Sequence, residues 1–397
     1  MAAPTATHAR REPARRSVAG FGYRPALDGL RGVAVIGVLV YHGGVTWLRG
    51  GYLGVDVFFV LSGYLITALL LAEHDGSGRI DLVAFWGRRA RRLLPALALL
   101  FVAIVIYARF VADPSSVGAL RGDVVATIGY VLNWRLIFTH QSYFAQFAAP
   151  SPLRHAWSLA VEEQFYLVWP FAMMGLLAFV GAVRQRLAAL LLGAAACSAL
   201  EMALLAHAGR DPSRVYYGTD TRAQALLVGA ALAAALAPHG FRPPRRLDAV
   251  VQWSGLAAVA VLAWFFVNAR ELSIAMYRGG HFAVAIATAV VIAAAVAKPN
   301  TIVGRCLSPP ALRAIGRISY GLYLWHWPVD LTLDSARTHT HGVVLLVIRL
   351  VVTFACALGS WVLVENRVRL RRPVGFPRGA VIAAPIVAVV AALALGT

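Results

Sequence analysis

Charge is scarce in this chain. Only 14% of its 397 residues are charged and 18 are acidic, while 59% are hydrophobic. Soluble domains carry about 25% charged and about 45–50% apolar residues, so the shortage excludes a water-soluble globular domain and makes lipid the solvent. Cysteine is scarce as well. Cys197, Cys306 and Cys356 stand far apart, in or beside apolar stretches. Their spacing fits neither a disulfide framework nor a metal site; they read as small core residues, and no metal is expected. An internal repeat of the inverted-transporter kind is missing. So is a clean secretory leader, because the first apolar segment carries Asp28, Arg31 and His42.

What the chain does have is long apolar runs. A span needs roughly 20 mostly apolar residues to cross about 30 Å of hydrocarbon. That rule predicts an all-α fold: a polytopic transmembrane helical bundle with ten spans, near 26–48, 53–71, 93–110, 158–181, 187–207, 222–238, 249–267, 281–297, 318–333 and 343–365. An additional C-terminal span is expected at 380–396. The segment Val124–Phe138 is short, is bracketed by Arg121 and Arg135, and decides the topology. If it is re-entrant or interfacial, 24 of the 37 basic residues fall on one side and 11 on the other. The positive-inside rule then puts the richer side, with the N-terminus, in the cytosol. A crossing would weaken that asymmetry, so none is expected. The net charge of +19 is thus a topology signal, and no nucleic-acid partner is expected. Residues 1–25 read as a disordered basic cytosolic tail, 26–372 as the transmembrane domain, and 373–397 as a linker with the additional span.

An ionisable side chain at mid-span costs at least about 2.5–3.5 kcal/mol, so each one is a functional candidate. Arg31 and His42 are eleven residues apart, close to three full turns, and project from one face roughly 16 Å apart. Asp28 lies one turn before Arg31 and could pair with it. His42 is the best single candidate, because an imidazole can take a proton from an attacking hydroxyl and return it to a leaving thiolate; a histidine satisfied by a neighbouring helix is the alternative. Asp56, near the start of the second span, could orient His42. Gly54, Ser62 and Gly63 on that span suit close packing, and Ser62 could also meet substrate.

Arg88, Arg89, Arg91 and Arg92 come next, in a loop, and planar guanidinium forks suit the phosphates of a nucleotide-bearing donor. A plain basic anchor on anionic lipid is the other reading. Glu162 and Tyr166 are four apart and share a face with Ser158, whereas the adjacent Glu163 could be solvated at the interface. Ser319, Tyr323, His326 and Asp330 form one polar stripe on an otherwise apolar helix. Belt anchoring explains Trp325 and Trp327 but not His326.

Five segments in this order resemble the acyltransferase-3 family over about residues 24–372. They are Leu27-Asp28-Gly29-Leu30-Arg31-Gly32 with the Arg31/His42 pair; Gly54-Val55-Asp56-Val57-Phe58-Phe59-Val60-Leu61-Ser62-Gly63-Tyr64; the Arg-x-x-Arg element at 88–92; Trp157-Ser158-Leu159-Ala160-Val161-Glu162-Glu163-Gln164-Phe165-Tyr166; and Ile318-Ser319-Tyr320-Gly321-Leu322-Tyr323-Leu324-Trp325-His326. The resemblance implies an inner-membrane O-acyltransferase that takes an acetyl or other acyl group from acyl-CoA and transfers it to a hydroxyl of a cell-envelope glycan or an exported sugar-containing molecule. It implies that His42 is catalytic, that Arg31 is its partner, that the Arg-x-x-Arg element binds the donor, and that Glu162 is a functional carboxylate. Asp28, Ser62, Tyr166, Tyr323 and His326 are the expected substrate contacts. Some relatives continue through an extra span into an extracytoplasmic hydrolase-like domain, so a separate extracytoplasmic transferase is an expected partner if acyl relay is required. Two other readings use the same residues: a transporter or flippase for a lipid-linked or acylated sugar, and an acyl-conducting module serving another transferase.

Overall fold

A computed structural model describes residues 23–144, 150–181, 183–236, 244–297, 300–366 and 368. The described chain is helical throughout. Its helices are α1 (Pro25–His42), α2 (Gly54–Ser77), α3 (Leu82–Phe110), α4 (Val117–Ile128), α5 (Leu132–Phe138), α6 (Trp157–Val180), α7 (Arg184–Leu205), α8 (Ser213–Tyr217), α9 (Thr219–Leu236), α10 (Asp248–Asn268), α11 (His281–Ala297), α12 (Ile302–Cys306), α13 (Pro310–Arg317), α14 (Ser319–Thr332), α15 (Ser335–Thr338) and α16 (Gly342–Ser360).

Helices occupy all ten predicted positions, and seven helical segments are long and apolar enough to cross a membrane: Gly51–Ser77, Leu82–Phe110, Arg154–Val180, Arg184–Leu205, Asp248–Asn268, Met276–Val296 and Gly342–Glu365. The protein is therefore a polytopic helical membrane protein. The other three, α1, α9 and α14, have 18, 18 and 14 residues. These shorter helices carry Arg31, Arg222 and His326, and each packs against longer neighbours. The tail before Tyr23 and the stretch 380–396 lie outside the described residues.

Local chemistry sets the helix ends. Pro25 opens α1, where a missing N–H costs nothing. Gly78 ends α2 at φ 71°, a left-handed conformation that favours glycine. Asp81 then caps α3 by accepting from the Ala84 N–H. This cap starts α3 eleven residues ahead of the predicted 93, so the arginine segment 88–92 is helix and not loop.

Two prolines inside helices create acceptors that the fold uses. Proline has no N–H and leaves the carbonyl four residues earlier unpaired. Pro170 frees the Tyr166 carbonyl, which accepts from the Trp86 indole at 3.1 Å. Pro328 frees the Leu324 carbonyl, which accepts from His155 Nε2 at 3.1 Å.

The segment 124–138 does not form one span. It is split between α4 and α5 by Tyr130 at φ 54°. Helix directions fix the path of the chain around it. Ser62 bonds Glu162, and Thr67 accepts from Trp169 at 2.8 Å, so α2 and α6 run the same way. With α3 alone passing between them, the chain leaves and re-enters 111–156 on one side of the bundle, as the charge asymmetry predicts.

α9 lies between α2 and α7. It crosses α2 at two glycines: a Cβ at Gly63 would fall 1.9 Å from the Leu226 carbonyl oxygen, and one at Gly229 would fall 2.0 Å from that of Val60. Backbones that close exclude any side chain at either position. The outer faces of α10 and α16 expose Trp253, Trp264, Val343, Val347 and Val351, a surface suited to lipid. The cysteines correct the sequence reading, since Cys197 and Cys306 are exposed and Cys356 is half-buried. Lipid is as apolar as a core, so the Cys197 thiol on the outer face of α7 costs nothing extra, and Cys306 ends the short helix α12 between spans.

Candidate active site

Helices α1, α2, α6 and α14 enclose a cavity of about 560 Å³, counting its open mouth; Arg31, Phe58, His155, Ser158, Glu162, Ser319 and Tyr323 are among its lining residues. The predicted polar stripe of α14 faces inward along its whole length. Ser319 Oγ accepts from Arg31 Nε at 3.4 Å. Tyr323 Oη lies 2.6 Å from Ser158 Oγ and donates to the His155 carbonyl at 2.9 Å. His326 Nε2 lies 3.2 Å from His42 Nδ1. Asp330 faces Arg349 of α16 at 3.8 Å. Arg31 to Ser319 and His42 to His326 advance together, so α1 and α14 run parallel.

His42 points into the bundle. Its Nδ1 lies 3.1 Å from the Val38 carbonyl, its Nε2 lies 3.1 Å from Tyr143 Oη, and its ring packs on Trp327. It is not among the cavity-lining residues. His326 separates it from the wall, with its ring centroid 5.4 Å from that of His155 and 5.1 Å from that of His42.

At the opposite end of the cavity Glu162 is clamped by two hydroxyls, since Ser62 and Tyr166 both donate to Glu162 Oε1. Tyr166 also reaches Ser62 Oγ at 3.0 Å. The sequence reading that groups Glu162 with Tyr166 holds geometrically, and Ser62 joins them. Glu163 is buried with an unpaired Oε1, correcting the reading that solvates it; it lies more than a turn inside α6, on a face covered by protein.

The four arginines of α3 do not act alike. Arg88 is exposed and pairs with Glu73 at 3.2 Å. Arg89 lies over the Tyr166 ring at 5.3 Å and over Phe85 at 5.8 Å. Arg92 is within electrostatic range of Arg31. Arg91 is half-buried. One helix turn separates partners at three-residue spacing, and only the inward side of that turn meets the Glu162 clamp.

Two expectations are corrected. Asp28 accepts from the Tyr23 hydroxyl at 2.9 Å and closes no ion pair with Arg31 among the described residues, because Arg31 turns to Ser319. Asp56 does not orient His42. It is held between Arg222 at 2.9 Å and His281 at 3.1 Å, all three at most 1% exposed. A buried carboxylate takes the nearest cation, and the glycine crossing of α2 with α9 brings Arg222 to it.

Sequence reasoning misses Arg222, His281, His155 and Tyr143 as site residues. The first two lie at the margins of predicted spans and obey the rule that flags intramembrane ionisable groups. Tyr143 sits between helices with no periodicity to mark it.

The acyltransferase-3 family, described as an acyltransferase domain, matches residues 24–365. The chain belongs to that family. Curated relatives agree. The chain is 40% identical over 360 residues to the peptidoglycan O-acetyltransferase OatA of Listeria monocytogenes, covering 90% of this chain and 57% of that protein. It is 40% identical over 352 residues to the putative peptidoglycan O-acetyltransferase YrhL of Bacillus subtilis, covering 87% and 55%. It is 38% identical over 351 residues to the O-acetyltransferase OatA of Staphylococcus aureus, covering 87% and 57%. This acyltransferase-3 chain therefore spans little more than half the length of these relatives. No solved structure matches it.

Proposed function

We infer that this acyltransferase-3 chain moves an acetyl group from an acyl-CoA donor to a hydroxyl of a cell-envelope glycan, and that peptidoglycan is the first acceptor to test, given the names of its relatives. The observation that carries this reading is His42. An imidazole Nε2 stands inside an apolar helix bundle, 3.1 Å from a hydroxyl, one ring from a cavity whose far end holds Arg31 and a clamped carboxylate. That is the equipment for removing a proton from an alcohol in a water-poor site.

When bound, the donor supplies an electrophilic thioester carbonyl and a thiolate leaving group. The chain's own residues do the rest. Arg89 and Arg92 meet the donor where α3 approaches the Glu162 clamp, Arg31 lines its path, and His42 accepts the acceptor's proton. With ten spans the positive-inside rule puts the side on which α1 begins, and the arginine segment 88–92 of α3, in the cytosol. Donor and acceptor then reach His42 from opposite faces.

The test uses the full chain in lipid vesicles with acetyl-CoA, peptidoglycan fragments, and mass spectrometry for an added acetyl group. Transfer that disappears in His42→Ala, with membrane insertion intact, supports the reading. Turnover retained in that variant, or movement of a sugar without donor consumption, removes it. Transfer seen only when a second extracytoplasmic transferase is added turns the chain into the acyl-conducting module of a pair.

A further inference from the structure

The backbone sets the proton positions in the His42–His326 pair. His326 Nδ1 lies 2.6 Å from the Tyr323 carbonyl oxygen, which can only accept, so that nitrogen carries the hydrogen. In a neutral ring Nε2 is then the acceptor, and it lies 3.2 Å from His42 Nδ1. His42 Nδ1 also faces the Val38 carbonyl at 3.1 Å. Both neighbours of this nitrogen accept, so it carries the hydrogen and shares it between them. The reverse arrangement would set lone pairs against two carbonyl oxygens. What remains is an unprotonated Nε2 on His42, aimed at Tyr143 Oη.

We propose that His326 is a positioning residue for His42: by accepting from His42 Nδ1–H it holds the tautomer whose Nε2 is the base, and it supports the imidazolium formed when Nε2 takes the acceptor's proton. The role rests on the reading of His42 as the base, and it is the one expected of Asp56, which is committed to Arg222 and His281. The His326 ring is itself held in place. It packs between Tyr323 at 5.3 Å and His155 at 5.4 Å, and His155 is anchored on the carbonyl that Pro328 leaves free. Around His42 the other polar and charged groups are Tyr41 on its own helix, Tyr143, and Arg154, whose guanidinium stacks on both Tyr143 and Trp327. Among the described residues none of these accepts from His42 Nδ1.

Two variants of the full chain in lipid vesicles test the pairing. His326→Phe keeps the ring and removes the acceptor; His326→Gln returns an amide oxygen. Expected for His326→Phe is a fall in kcat of about a hundredfold, the lower end of what a positioned general base contributes. Its KM values should stay near wild type, and the acid limb of the pH–rate profile should move to lower pH because the imidazolium has lost its acceptor. His326→Gln should recover part of kcat. Nitrogen-15 spectra of histidine-labelled wild-type protein should show His42 with hydrogen on Nδ1, and His326→Phe should show a tautomer mixture. Wild-type kcat and pH profile in His326→Phe, or hydrogen on Nε2 of His42 in the wild type, would overturn the proposal. If His326→Phe fails to fold, His326→Gln and the wild-type spectrum decide it. An inactive His42→Ala beside an unaffected His326→Phe strikes the pairing alone, whereas an active His42→Ala strikes the base itself.

Discussion

Arg222 of α9 reaches across to Asp56 of α2 and ends 2.9 Å from its carboxylate, at a depth where each side chain is 1% exposed. The guanidinium also lies 5.2 Å over the Tyr216 ring and 5.7 Å over Trp157. Removing one member of such a pair leaves a buried charge, at a cost of about 3–5 kcal/mol. Arg222→Met alone should therefore lower the unfolding temperature sharply in detergent. Asp56→Leu together with Arg222→Met should recover part of that loss, because no orphaned charge remains and only the buried His281 ring, whose Nδ1 faced both, loses its partners. A double variant no more stable than the singles would refute this account of the pair.

The same helix pair depends on the absence of two side chains. A methyl group at Gly63 would collide with backbone, which cannot move aside as a side chain can. Gly63→Leu and Gly229→Leu should abolish a monodisperse folded species in size-exclusion chromatography. Gly87→Leu on α3, where no atom lies within 4 Å of the added carbon, should elute like wild type.

How much of this is legible in the sequence depends on what a polar residue must do in lipid. The α14 stripe is readable because a hydroxyl, an imidazole and a carboxylate on one face must all point at protein, and Ser319, Tyr323, His326 and Asp330 each do. Periodicity gives the face but cannot name the partner. Proximity in the chain pairs Asp56 with His42, yet its partner His281 is 225 residues away, and only the glycine crossing, a property of two helices at once, brings Arg222 to it. The role of His326 is hidden for the same reason. Tyr143 sits where no repeat exists to betray it.

The Glu162 clamp predicts graded losses. A hydrogen bond to a charged group is worth about 1.5–3 kcal/mol, or roughly 10- to 150-fold in an equilibrium or rate. Ser62→Ala and Tyr166→Phe each remove one donor and should each reduce transfer within that range. The double variant should fall short of the product of the two effects, because Tyr166 also bonds Ser62 and the donors are coupled. Initial rates of acetyl transfer across the four proteins give the coupling directly; strict additivity would mean that the hydroxyls act independently.

Arg88 and Arg89 are neighbours with different tasks. Arg88 makes an exposed ion pair with Glu73, and such pairs are worth about 0–1 kcal/mol. Arg89 lies over Tyr166, one residue of the clamp. Titration of each variant with a non-hydrolysable acyl-CoA analogue should show a larger rise in Kd for Arg89→Ala than for Arg88→Ala. Equal effects would return both to the role of a basic membrane anchor.

Orientation can be read from the native thiols. Cys306 closes α12 and is exposed, next to Leu307, whose carbonyl packs against Gly29 in the first turns of α1. It therefore marks the side on which α1 begins. Positive-inside logic makes that side cytosolic. In a variant with Cys197→Ser and Cys356→Ser, a membrane-impermeant maleimide should spare intact cells and label inverted vesicles. A cysteine introduced at Ser116, just before α4, in a variant that also carries Cys306→Ser should give the opposite pattern, because α1, α2 and α3 cross three times between the side on which α1 begins and residue 116. Labelling of both thiols from one side would mean that α1, α2 and α3 do not cross three times, and would sever the argument that donor and acceptor meet His42 from opposite compartments.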